Sequence, residues 1–249
     1  MDVVGTRREY AKRYATDSAG DIGRVGKVVK PELIIFDMDG LMFDTERIAF
    51  IAWKKAALNC GYKVNKDIFK QTIGANLERA KEIYLTHFGS EFPIEEVAYQ
   101  RFIIAENLIK TNGVPIKAGL YDVLNFLKGL NIKKAVATST SRERASKLLN
   151  MASIDSYFDY VLCGDEIKNS KPNPEIFLKV AEKLNCRPEN CLVLEDSEVG
   201  VLAAHTAGMM PIMIPDMKVP GEEVRKLVFK LMSTLLEFKT FLEDMYKIA

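Results

Sequence analysis

The segment Leu33-Ile34-Ile35-Phe36-Asp37-Met38-Asp39-Gly40 passes from four consecutive apolar residues into two aspartates and a glycine. A short apolar run without alternation reads as a strand covered on both faces, the pattern of a parallel sheet. Acids at the end of such a strand fall where the ligand crevice of an open α/β sheet lies. Gly40 lets the chain turn sharply beneath whatever is bound there. Alone, the Asp-x-Asp triplet reads equally well as a turn with solvated acids.

Working outward, residues 44–110 carry helical periodicity without a clear strand, with expected helices over 45–59, 66–72, 77–88 and 94–110. Beyond Asn112-Gly113 and Pro115 the pattern changes. Strands are expected over 134–138, 158–163, 191–195 and 210–214, alternating with helices over 119–128, 142–150, a stretch opened by Pro174, and 199–207. An edge strand at 227–229 and a last helix at 235–246 complete the order. Such alternation implies right-handed crossovers and a parallel sheet. The expected fold class is therefore α/β: a Rossmann-like doubly wound sheet with an inserted all-helical cap, the insert placed over the carboxyl edge of the sheet. The core is expected over 31–43 and 115–249 and the cap over 44–114. Residues 1–30, charged and weakly periodic, read as an extension outside the fold.

Three further groups stand at expected strand ends. Thr138-Ser139-Thr140-Ser141 offers hydroxyl and backbone donors to a phosphate, with Thr138 as the contact and Thr140 or Ser141 as cap of the next helix. Ser170-Lys171-Pro172-Asn173-Pro174 presents Lys171 on a proline-stiffened loop, with Asn173 able to cap the following helix. A fixed ammonium offsets the repulsion between an anionic nucleophile and an anionic phosphate. Glu195-Asp196-Ser197 ends an apolar strand with two acids, which need compensation when buried. A bound Mg²⁺ would supply it, whereas capping by Asp196 or Ser197 is the plain structural alternative.

Composition removes competing chemistries. The 249 residues are 48% hydrophobic and carry a net charge of +1, so no long-range field favours a nucleic acid polymer or an anionic membrane. No run approaches the ~18 apolar residues of a membrane span. Cys60, Cys163, Cys186 and Cys191 form no CxxC pair, and none is followed six positions later by arginine. A zinc knuckle, a disulfide framework and a cysteine-nucleophile phosphate loop are all unsupported, and reduced thiols in a cytoplasm are expected. His87 and His205, the two histidines, read as surface or packing residues. Carboxylate chemistry remains: Asp37 as nucleophile, Asp39 as general acid and base.

The ordered set Asp37-Met38-Asp39-Gly40, Thr138, Lys171 and Glu195-Asp196 resembles the haloacid dehalogenase superfamily, in its phosphatase and β-phosphoglucomutase-like branch, over about residues 32–216. The resemblance implies an aspartyl-phosphate intermediate on Asp37 and catalysis by Asp37, Asp39 and Lys171. It also implies phosphate contacts from Thr138, Ser139 and Lys171, and Mg²⁺ held by Asp37, the Asp39 carbonyl and Asp196, with Glu195 also in the set. Asp39 argues against dehalogenation, which lacks that second acid. The mutases carry a histidine where this chain has Ala49 and an arginine aligned with Leu77, so hydrolysis of a small phosphorylated metabolite, a sugar phosphate or nucleoside monophosphate, is expected of a monomer. A phosphomutase is the alternative. A phospho-accepting signalling domain also joins Asp, Lys and an acid pair, but has no reason for Asp39 or a helical lid.

Overall fold

The computed structural model describes residues 30–73 and 77–247. Most of the expected N-terminal extension, and residues 74–76 of the expected cap, lie outside the described residues.

The apolar run forms β1 (Leu33–Phe36), at the centre of a six-stranded parallel sheet. Its companions are β2 (Lys133–Ala137), β3 (Tyr160–Leu162), β4 (Cys191–Glu195), β5 (Met210–Met213) and β6 (Lys230–Leu231), in the order β3-β2-β1-β4-β5-β6. All four residues of β1 are 0% exposed, which a one-faced strand could not achieve. Successive side chains go to opposite faces. Ile34 and Phe36 pack with Leu124 and Leu127 of α5 (Leu120–Lys128), Leu149 of α6 (Arg142–Met151) and Phe238 of α10 (Leu235–Lys247). Leu33 and Ile35 meet Phe177 and Val180 of α7 (Glu175–Lys183) and Ala203 and Ala204 of α8 (Glu198–Thr206). At about 1.5–3 kcal/mol per buried large side chain, this strand anchors both halves of the core.

The inserted cap comprises α1 (Thr45–Asn59), α2 (Lys66–Thr72), α3 (Leu77–Phe88) and α4 (Ile94–Asn112). It has its own apolar cluster, including Trp53, Phe69, Tyr84, Phe92 and Val97. Trp53 lies 4.4 Å from Tyr84 and Phe50 lies 5.3 Å from Phe69, ring centre to ring centre, so Trp53 and Phe50 pack within the cap.

The chain leaves and re-enters the core side by side. Asp44 N–H donates to Pro115 O at 2.8 Å, and Lys117 N–H to Met42 O at 2.9 Å. Buried Asp216, beyond β5, accepts from Arg47 of α1 at 2.9 Å and from Lys117 at 2.5 Å, tying both connections to the sheet. Farther along the interface, Glu106 of α4 pairs with Arg144 and Lys147 of α6. Among the described residues, no helix is long and apolar enough to cross a membrane.

The edge strand differs from expectation. Leu227 N–H still donates to Val224 O, closing the turn after α9 (Glu222–Arg225). Pairing therefore begins only with Phe229 N–H to Pro211 O, and the strand is Lys230–Leu231 rather than 227–229.

Replacing Ile35 by Ala should cost about 2–5 kcal/mol of unfolding free energy in a urea titration. Lys55→Ala, on an exposed helix face, should stay within about 0.5 kcal/mol of the parent. Equal losses at the two positions would contradict the two-sided burial of β1.

Candidate active site

Parallel pairing brings the ends of β1, β2 and β4 level, with Phe36 opposite both Val136 and Leu194. Asp37 N–H extends the ladder to Leu194 O at 3.0 Å, and Thr138 N–H reaches Leu162 O at 3.1 Å. The next side chains, Asp37, Thr138, Glu195 and Asp196, therefore converge on one crevice. Lys171 arrives from the loop before α7. Its ammonium donates to Asp37 Oδ1 and Glu195 Oε1, both at 2.6 Å, and to Ala137 O at 3.1 Å. That loop is itself clamped: Glu175 accepts from the N–H groups of Lys168 and Asn169 and from the Asn169 amide. The Lys168 amide leads in holding the Glu175 carboxyl down to about 2, aided by Lys179 and Asn169. Asn173 accepts from Glu175 N–H at 3.0 Å, but Pro174 holds the N-cap position of α7 and no side chain caps it, so Asn173 steadies the loop instead of capping the helix as expected.

Asp39 faces a different set of partners. Its Oδ1 accepts from Thr45 Oγ1 and its Oδ2 from Thr140 Oγ1, each at 2.7 Å. One bond comes from the first residue of the cap and the other from the core, so Asp39 spans the interface. This corrects the expected capping role of Thr140 or Ser141: neither side chain caps α6, and Arg142 N–H instead donates to Asp165 at 3.0 Å. Thr138 Oγ1 accepts from Thr140 N–H at 3.1 Å, while Ser139 is exposed on the crevice wall. Ser197 caps α8 by accepting from Gly200 N–H, so Asp196 is not spent on that task. Glu195 has both oxygens engaged, Oε1 by Lys171 and Oε2 by the Ser197 hydroxyl at 2.9 Å.

Two glycines make room for these acids. Gly40 has φ +85°, and a Cβ there would lie 2.1 Å from Asp196 Oδ2. At Gly200 a Cβ would lie 1.9 Å from the Glu195 carboxyl carbon. Gly200 gave no signal in the sequence because its need arises from a side chain five residues earlier, across a strand-to-helix turn.

Oxygens of Asp37, Glu195 and Asp196 lie within 4.8 Å of one another, all buried. Burial, opposed by Lys171 and reinforced by Glu195 and Asp39, pushes the Asp37 carboxyl up to about 8. Asp196 is raised well above the carboxylate range by burial, with Asp37 and Glu195 adding repulsion. Burial works against the Lys171 ammonium, but Asp37 and Glu195 outweigh it and hold its pKa above the ordinary lysine value. Three crowded carboxylates thus face one ammonium, and the hard oxygen set suits a divalent cation. A second acidic group, Cys163, Asp165 and Glu166, is accounted for structurally: Asp165 caps α6, and Glu166 binds Cys163 N–H and Arg142.

Comparison with known proteins places the chain in a family. A family profile described as haloacid dehalogenase-like hydrolase matches residues 34–214. The chain belongs to this family. It is 35% identical to the phosphorylated carbohydrates phosphatase of Thermotoga maritima over 72% of this chain and 82% of that protein. It is 29% identical to the β-phosphoglucomutase of Bacillus subtilis over 72% and 81% of the two chains. The crystal structure of a β-phosphoglucomutase from Clostridium difficile, 26% identical, covers 87% of this chain and 97% of its own with a TM-score of 0.69.

In this haloacid dehalogenase-like hydrolase the crevice opens into a cavity of about 670 Å³ roofed by the cap. That volume is in the range of small-molecule sites. The core contributes Asp37, Asp39, Thr138, Ser139, Lys171 and Asp196, and α6 contributes Arg144. The cap adds Thr45, Glu46, Ala49, Ile73, Arg101, Phe102 and Ala105. Glu46, Arg101 and Arg144 were missed from the sequence, since helix periodicity alone does not reveal which polar face is turned to a ligand. Burial, with Asp39 and Asp216 adding repulsion, pushes Glu46 up to about 7. Elsewhere in the cap, Arg79 pairs with Glu82 and Lys81 with Glu95 and Glu78, and neither lines the cavity.

Gly200→Ala should displace Glu195 and, through it, Lys171. A misplacement of about 1 Å costs on the order of a hundredfold in rate, so phosphate release should fall by that much. Gly208→Ala, at a left-handed position with nothing within 4 Å, should leave turnover near the parent value and lower the melting temperature only modestly. A catalytically intact Gly200→Ala enzyme would break the proposed link between helix packing and site geometry.

Proposed function

We propose that this phosphoric monoester hydrolase removes phosphate from a small phosphorylated sugar through an aspartyl-phosphate intermediate on Asp37. The observation that carries the reading is the buried contact of Asp37 with Lys171, beside Asp196 and beneath a roofed cavity. An Asp37 oxygen attacks phosphorus, forming an oxygen–phosphorus bond as the ester bond to the leaving group breaks. Asp39, in its acid form, gives its proton to the leaving oxygen. Thr45 and Thr140 hold both Asp39 oxygens in place for this. In the second half Asp39 takes a proton from water, whose oxygen attacks phosphorus and releases Asp37 and inorganic phosphate. Thr138 and Ser139 supply phosphate contacts, and Lys171 both orients Asp37 and offsets phosphate charge.

Mg²⁺ is the cation proposed for Asp37, Asp196 and the Asp39 carbonyl, where it would supply the positive charge that lets two anions approach. Glu195, with both oxygens engaged, is better suited to orienting Lys171 than to binding the metal. Similarity to β-phosphoglucomutases favours a second reading, transfer of the phosphoryl group back to a sugar. Against it stands Ala49, which lines the cavity where the mutases carry histidine. The four free thiols suit work in a reducing cytoplasm.

In a phosphate-release assay over sugar, nucleotide and cofactor phosphates, Asp37→Asn should abolish turnover. Asp39→Asn should slow it by about 10²–10⁴-fold. EDTA should stop the reaction and excess Mg²⁺ restore it. Full activity of Asp37→Asn would refute the covalent mechanism, and hexose phosphate isomerisation outrunning phosphate release would replace hydrolysis by the mutase reading.

A further inference from the structure

The cap side of the cavity carries two charged groups that the chain leaves without a hydrogen-bonded counter-charge. Glu46, in the first turn of α1, and Arg101, midway along α4, both line the cavity. Among the described residues Glu46 makes no hydrogen bond and no ion pair. Arg101 Nε is buried without a hydrogen-bond partner. The Arg101 guanidinium lies 5.3 Å from the centre of the Trp53 ring, a contact that fixes its direction without meeting its N–H groups. Glu46 and Arg101 feel each other's charge but lie beyond ion-pair distance. Arg144, by contrast, is already paired with Glu106.

The bland account of Glu46 is an acid complementing a helix N-terminus, worth a few tenths of a kcal/mol at a solvated position. Glu46 instead lines the cavity half-buried, where Asp39 and Asp216 oppose its charge and Lys117 and Arg101 favour it only from a distance. Keeping a carboxylate and a guanidinium without hydrogen-bond partners in such a place destabilises the free protein. A bound molecule can relieve both at once. It must donate to one group and accept from the other, and carry little charge of its own where the two charges balance. Phe102, Ile73 and Ala105 line the same cavity and suit carbon–hydrogen faces, and Ala49 leaves space beside them.

We infer that Glu46 and Arg101 form the subsite that reads the hydroxyl groups of the leaving group, Glu46 accepting and Arg101 donating, and so set which phosphomonoester is turned over. The inference rests on the phosphatase reading above. It assigns the selection of substrate to two residues remote from each other in sequence and brought together by the packing of α1 against α4.

The test compares the full-length enzyme with Glu46→Ala, Glu46→Gln and Arg101→Ala in the presence of Mg²⁺. Two probes are needed: the best of a panel of aldose and alditol phosphates, and phenyl phosphate, whose leaving group has no second hydroxyl. For the sugar ester, the alanine variants should lose roughly 10–100-fold in kcat/KM, mainly through KM. Their loss on phenyl phosphate should be at least about tenfold smaller, and Glu46→Gln should lose less than Glu46→Ala because it keeps an acceptor. Should an alanine variant not fold, Glu46→Gln and Arg101→Lys carry the same comparison. Equal losses on both probes, or a parent enzyme that prefers phenyl phosphate to every hydroxylated ester, would overturn the subsite and leave the phosphatase reading intact. Phosphate release from neither probe by the parent enzyme would remove both.

Discussion

The Lys171 ammonium, held between Asp37 and Glu195, is the contact on which the organisation of this molecule depends. It joins the ends of β1 and β4 and touches the last carbonyl of β2, so one side chain gauges the alignment of three strands. Its charge makes tolerable a concentration of acids that would otherwise repel one another in a buried place. Glu175 holds the lysine loop, Ser197 and Gly200 shape the surroundings of Glu195, and the two-sided burial of β1 fixes the platform. Stability and chemistry are coupled here: the packing that buries Phe36 also determines where Asp37 stands.

Asp39 links that platform to the cap. Its two oxygens are shared between Thr140 of the core and Thr45 of α1. The placement of α1 is thereby connected to the group proposed to move the proton. The ion pairs of Glu106 with Arg144 and Lys147 reinforce the same arrangement from the far side of the cavity.

The sheet was legible because its cause is local. An unbroken apolar run flanked by a proline and an acid admits few readings, and parallel alternation fixes which chain ends meet. The convergence of Asp37, Thr138, Lys171, Glu195 and Asp196 follows from that order. What stayed hidden was set by partners distant in the chain. Thr140 looked like a cap because Ser and Thr commonly are, yet Asp165 supplies the cap and Thr140 turns to Asp39. Glu46 and Arg101 gave no signal, because periodicity marks the buried stripe of a helix and is silent about a polar face enclosed by another element. The edge strand slipped by three residues because the turn after α9 consumes Leu227.

The paired connections at Met42–Lys117 and Asp44–Pro115 carry a broader consequence. A module that departs and returns through adjacent backbone rungs is tethered like a door on one jamb, so its easiest displacement is a swing about that line. Its interior is filled mainly by its own aromatic residues, so mutations on its outer half leave the sheet untouched. Substitutions on that outer half can therefore accumulate while the residues at the strand ends keep their places.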